Sequence, residues 1–186
     1  MKAYIELTNY DVSLRQLTAD KIELVRQWRN DPKIQETMLF RDYITPEMQT
    51  NWFHRIDNDC NFYFLIVYHG EYIGLINVKD IDYEQKCGES GVFIDEDKYL
   101  GTDIAYRAHL VLFDYIYEVL HLNYTYSHIL PGNPKAYRFA EFLGCVQDKS
   151  RSSEQSLAYQ LTAENYLQNK NRLRFIKKWN YLNNKL

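Results

Sequence analysis

Residues 89–129 constrain the fold more than any other part of the chain. ESGVFID (89–95) is a β-rich run, Gly101 marks a turn, and Ala105, Ala108, Leu112, Tyr115 and Val119 then recur at steps of three or four. That spacing predicts one long helix over 103–121, packed on a sheet by one face. YTYSHI (124–129) returns to strand character. A strand, a long helix and a second strand in this order predict a parallel pair joined by a right-handed crossover.

The remaining elements place that crossover in a mixed sheet. FYFLIVY (62–68) and EYIGLINV (71–78) are strands with His69-Gly70 between them, a hairpin signal. Val12 to Leu17 alternates like a strand, and Ile22, Val25 and Trp28 follow at helical spacing until Asn30-Asp31-Pro32. Thr45 caps a second helix with Pro46 at its first position, ending near Asn58. Asn133 caps a short helix that opens on Pro134 and stops at Gly144, and a final hairpin covers 145–162. The order β-α-α-β-β-β-α-β-α-β-β-α predicts an α/β (α+β) domain, with a mainly antiparallel sheet flanked by helices and one parallel βαβ crossover.

Composition excludes several classes. With 186 residues, 46% of them hydrophobic, the chain suits one globular domain. Its longest apolar run, 62–68, is too short to cross a membrane as a helix. The opening residues show no secretory pattern, and Cys60, Cys87 and Cys145 are odd in number and scattered, so a reducing cytoplasm is expected. Residues 165–186 hold six basic groups and no acidic one, leaving 16 basic against 25 acidic in the first 164. No nucleic-acid partner is therefore expected for the body. Leu173, Ile176, Trp179 and Tyr181 or Leu182 predict a basic amphipathic helix over 163–186, lying on the domain or on a second subunit as a homodimer. His54, His69, His109, His121 and His128 form no close ligand pair, so no metal is expected.

The chemistry centres on GVFIDEDKYLGTDIA, residues 91–105. A strand entering a glycine turn and then a helix presents backbone N–H groups and a positive helix end, which suits a pyrophosphate. The stretch resembles the acetyl-CoA signature of the GNAT acyltransferases, with Leu100-Gly101-Thr102-Asp103-Ile104-Ala105 at the phosphate turn. Asn133 to Gly144 is similar to that family's Asn-x-x-Ala segment ending in Leu-Gly. Trp28-Arg29-Asn30 and ITPEMQTNWF (44–53) resemble segments of acetyltransferases of nucleotide-linked amino sugars, and of ribosomal-protein alanine acetyltransferases.

The resemblance implies the GNAT fold over about 11–162 and transfer of acetyl from acetyl-CoA to a primary amine of a small molecule. It implies that Phe93, Ile94 and Asp95 line the pantetheine arm, that Gly101, Thr102, Asp103, Ile104 and Ala105 hold the pyrophosphate, and that Asn133 contacts the coenzyme near its thioester. An N–H of 93–95 is a candidate to stabilise the tetrahedral intermediate. Glu89 is the candidate base, because an amine is mostly protonated at neutral pH. Two positions depart from the family pattern. Ala140 stands where many members have a tyrosine acid, with Tyr137 as a candidate substitute, and Asp103 stands where a glycine usually approaches phosphate. Asp103 either caps the helix or faces the phosphates. The departures keep open a non-catalytic binding module, and a protein N-terminus remains an alternative acceptor.

Overall fold

The computed structural model describes residues 4–170. Its sheet has eight strands: β1 (Glu6–Asn9), β2 (Val12–Gln16), β3 (Phe62–Tyr68), β4 (Glu71–Asp82), β5 (Cys87–Ile94), β6 (Tyr124–Ile129), β7 (Val146–Asp148) and β8 (Leu157–Thr162). They lie in the order β1-β2-β3-β4-β5-β6-β8-β7, and every pair is antiparallel except β5 with β6. The helices are α1 (Ile22–Asn30), α2 (Pro32–Gln35), α3 (Pro46–Ile56), α4 (Ile104–Asp114) and α5 (Pro134–Leu143), and 163–170 is also helical. No described helix is long and apolar enough to cross a membrane.

The period-two pattern of β3 splits the core into two layers. Phe64 and Ile66 point to one face, where Ile73, Ile76, Leu112, Phe113 and Ile116 complete a large cluster beneath α4. Leu65 points to the other, joining Leu75, Val25 and Trp28 under α1 and α3. Both faces of the central strands are therefore covered. This explains why β3 reads as an unbroken apolar run rather than an alternating one.

Four sequence expectations change. β1 was not anticipated: its turn, Tyr10-Asp11, has both residues at positive φ (54° and 60°) without a glycine, so the usual hairpin signal is missing. α2 was not anticipated either: the break at Asn30-Asp31-Pro32 ends α1 as expected, but Pro32 then opens a second short helix, with the Asp31 side chain accepting from the Lys33 N–H at 2.9 Å. The helix expected over 103–121 gives way to a wide π turn at Tyr115–Val119, where Leu120 N–H donates to Tyr115 O at 3.0 Å. Strand β4 runs on to Asp82, and β5 begins at Cys87.

The hairpins around His69-Gly70 and over 146–162 appear as expected. The segment after β8 turns helical at residue 163 and is anchored to α4. The fully buried Tyr166 donates its hydroxyl proton to Asp114 Oδ1 at 2.5 Å, and Lys170 pairs with Asp114 and with Glu118 Oε1 at 2.7 Å. Burial, with the Asp114 carboxylate beside it, holds that hydroxyl protonated far above its ordinary range. Leu173, Ile176, Trp179 and the rest of the expected tail helix lie outside the described residues.

Candidate active site

The parallel pair sets up the site by being incomplete. β5 and β6 pair only from Cys87↔Tyr124 to Glu89↔Tyr126, and both strands continue beyond that point. Residues 90–94 and 127–129 thus border a wedge through the sheet. A cavity of about 900 Å³ fills it, reaching α1 and α3 on one face and α4 and α5 on the other. Cavities of this size accommodate cofactors and small substrates.

The cavity floor is a register effect. Leu75↔Phe93, Asn77↔Gly91 and Lys79↔Glu89 face each other on β4 and β5, with Tyr63 beside Asn77 on β3. At Gly91 the floor is recessed, because a methyl group there would come within 3.2 Å of Asn77 Oδ1. Glu89 lies at the apex of the wedge. Lys79 Nζ is 3.1 Å from Glu89 Oε2, and His128 Nδ1 is 3.4 Å from Glu89 Oε1. Burial opposes the charge of Lys79, but the Glu89 carboxylate outweighs it and holds the ammonium above its ordinary pKa. Burial also pushes the Tyr63 hydroxyl up to about 12.

Successive helical positions aim Trp28, Arg29 and Asn30 in three directions. Trp28 packs edge-on against Phe93 with centroids 6.1 Å apart, tying α1 to β5. Arg29 lines the cavity. Asn30 exchanges two hydrogen bonds with the Ile44 backbone, at 2.8 and 2.9 Å, and so holds the 37–44 loop over the cavity rim.

The coenzyme residues expected from sequence fall into distinct groups. Phe93 lines the cavity, whereas the Ile94 side chain is buried in the core. Asp95 N–H donates to Ile73 O at 2.8 Å and is not available to a ligand; strand alternation then turns the Ile94 N–H toward the wedge. Gly101 takes φ +76°, and beyond its two chain neighbours no residue comes within 4 Å of the place its Cβ would occupy. The 101–105 turn lies outside the cavity lining, past the end of β5. Thr102 Oγ1, rather than Asp103, meets the Ile104 N–H, at 3.4 Å. Asp103 makes no side-chain cap; its Oδ2 accepts from Arg107 Nε and Nη2 at 3.0 and 2.8 Å. The cap reading of Asp103 is therefore replaced by an ion pair one helical turn along. The Ile104 side chain is core, and Ala105 O accepts from His109 Nδ1 at 2.8 Å.

Asn133 caps α5, accepting from Ala136 N–H at 3.2 Å, and also lines the cavity. Ala140 lines the wall as well. Tyr137 does not: its hydroxyl donates to Leu130 O at 2.7 Å and accepts from Gly132 N–H at 2.9 Å, fastening the β6–α5 connection. That engagement removes the reason for giving Tyr137 the role of acid. Cys145 lines the wall with its thiol pushed up to about 12 by burial. Among the described residues, no three His, Cys, Asp or Glu side chains are grouped to hold a metal.

Sequence reasoning missed Arg29 as a cavity residue, together with Asn77, Lys79 and His128. For Asn77 and Lys79 a signal was present: Leu75, Asn77 and Lys79 share one strand face, on which apolar character stops midway. His128 gave none, since its meeting with Glu89 depends on the parallel pairing.

His109, on the cavity wall, is buried among Phe113 and Phe139, and burial brings its pKa down to about 4. It is neutral near pH 7. Because the folded form resists protonation while the unfolded chain takes a proton near 6.5, the stability this contributes is present above about 6.5 and lost progressively toward 4. The loss should reach about 3 kcal/mol, for a pKa brought from 6.5 to about 4. Denaturant melts from pH 7 to 4 on the parent and on His109→Gln check it: the parent's curve should fall more steeply, and parallel curves would reject the assignment.

A model of the GNAT acetyltransferase domain matches residues 11–146. No curated protein sequence shows a significant match. Among solved structures, the chain is similar to spermidine N-acetyltransferase from Vibrio cholerae in complex with CoA and spermine, with 20% identity over 86% of this chain and 99% of that one, and a TM-score of 0.76. A dodecameric form of the Vibrio cholerae enzyme, in an intermediate state, aligns at 19% identity over 86% and 98%, with a TM-score of 0.68. A T. thermophilus protein designated an acetyltransferase covers 94% of this chain and 98% of its own, at 19% identity and a TM-score of 0.74. At these identities the likeness is one of fold, and it agrees with the mixed sheet and its single parallel pair. With the domain model spanning most of the chain, the protein belongs to the GNAT acetyltransferase family.

Proposed function

We propose that this chain transfers acetyl from acetyl-CoA to the primary amine of a small molecule, a nucleotide-linked amino sugar, with both substrates bound together in a reducing cytoplasm. The observation that carries this is the wedge between β5 and β6 opening into a cavity with a carboxylate–imidazole pair at its apex. In this reading the pantetheine arm lies along 92–94, and the first-turn amides of α4 with Gly101 hold the pyrophosphate. Asn133 borders the thioester end.

The two reactants meet near Glu89. Lys79 engages one Glu89 oxygen, and the other faces His128 Nδ1, leaving His128 Nε2 to accept the proton of the attacking ammonium. The freed amine forms a bond to the thioester carbonyl carbon, whose oxygen gains charge opposite the Ile94 N–H. The nitrogen gives up its surplus proton to water as the carbonyl re-forms and the carbon–sulfur bond breaks, and the thiolate takes its proton from water, since Ala140 has none to give. Glu89 stabilises the imidazolium and is thus a partner of the base, a change from its expected role.

Calorimetry with acetyl-CoA, followed by mass spectrometry of amines incubated with it, tests the reading. Binding with a mass gain of one acetyl group on a nucleotide-linked amino sugar is the expected result. No binding at millimolar acetyl-CoA would overturn it.

A further inference from the structure

Two buried donors in the cavity have nothing to bond. Arg29 Nε and Asn77 Nδ2 are both buried without a hydrogen-bond partner, and both line the same cavity. An unsatisfied buried donor is rare, and here both groups that no protein acceptor meets are N–H, so an acceptor-bearing ligand group complements them. Burial also pulls the Arg29 guanidinium below its ordinary pKa.

Charge narrows the ligand. Three cations, Arg29, Arg55 and Lys79, line the cavity against one carboxylate, Glu89, which Lys79 already engages. Two guanidiniums are left, one half-buried at the end of α1 and one exposed on α3. The 101–105 turn lies outside this lining, so these cations are separate from the place proposed for the coenzyme's pyrophosphate.

We infer that the acceptor amine carries a phosphate or diphosphate group, and that Arg29, with Asn77 beside the floor and Arg55 at the rim, binds it. A guanidinium matches a phosphate with two parallel N–H···O bonds, which a point charge does not. The same cavity is ill-suited to a polyamine, whose ammonium groups would face unneutralised cations. The inference deepens the acetyl-transfer reading and rests on it for the coenzyme's placement.

Calorimetry on the CoA-saturated protein tests it, with UDP-glucosamine, glucosamine and spermidine as probes. UDP-glucosamine should bind at least tenfold more tightly than glucosamine, and spermidine more weakly than either. In Arg29→Gln the tenfold advantage should disappear while CoA affinity stays within twofold of the parent, and Arg29→Lys should restore part of it. Equal affinity for the charged and uncharged sugars, tighter spermidine binding, or an advantage that survives Arg29→Gln would each overturn the inference. A loss of CoA affinity in Arg29→Gln would overturn it too, by assigning Arg29 to the coenzyme. Because these are binding measurements, phosphate recognition without acetyl transfer would refute the catalytic reading alone.

Discussion

His128→Ala should lower kcat by about a hundredfold, the low end of what a lost general base removes. Glu89→Gln should lower kcat by a similar factor, because the amide cannot stabilise the imidazolium 3.4 Å away. It should leave acetyl-CoA affinity unchanged, since the Glu89 side chain lies at the wedge apex, away from the 101–105 turn. Steady-state rates from pH 5.5 to 9 separate the alternatives. If His128→Ala keeps kcat within twofold while Glu89→Gln lowers it about a hundredfold, the carboxylate takes the proton itself; if both keep kcat within twofold, bulk water does.

Gly101→Val should weaken acetyl-CoA binding about tenfold to hundredfold, equivalent to about 1.4 to 2.7 kcal/mol. At φ +76° a β-branched residue is strained by about 1–3 kcal/mol, and the turn relieves that strain by moving its amides. The fold should survive, because no protein atom is near enough to clash. Gly101→Asn separates conformation from volume, since Asn tolerates positive φ. Parent-like binding by Gly101→Asn would show that backbone conformation is what the coenzyme needs, and equal losses in both variants would point to obstruction of the phosphates. Unchanged affinity in a folded Gly101→Val protein would remove the pyrophosphate from this turn.

What the sequence determined by itself was everything local or periodic. Steps of three and four placed α4, the apolar run 62–68 placed β3, and the Thr and Asn caps placed α3 and α5, because backbone geometry and side-chain spacing act over a few residues. The crossover from 89–95 to 124–129 followed from chain order and handedness, so the sheet's one parallel pair was legible in the order of elements alone. Turns that flout the usual residue preferences were not. Tyr10-Asp11 adopts positive φ because β1 and β2 pair across it, and the buried Tyr10 side chain donates its hydroxyl to Asp114 Oδ2 at 2.9 Å, more than a hundred residues away.

The candidate site divides along the same line. Gly101 and Asn133 stood out as motif residues because their roles are backbone roles, a positive φ and a helix cap. The Asp103–Arg107 pair is local, at i and i+4, but the surroundings of Tyr137 and Arg29 were decided by the folded structure. Tyr137 is spent on the 130–132 turn, and Arg29 is left facing a cavity whose floor and far edge come from strands 34 to 100 residues further along the chain. A side chain's local spacing tells which way it leaves its element. What it meets there depends on which distant groups the sheet register brings opposite, and no short-range pattern records that.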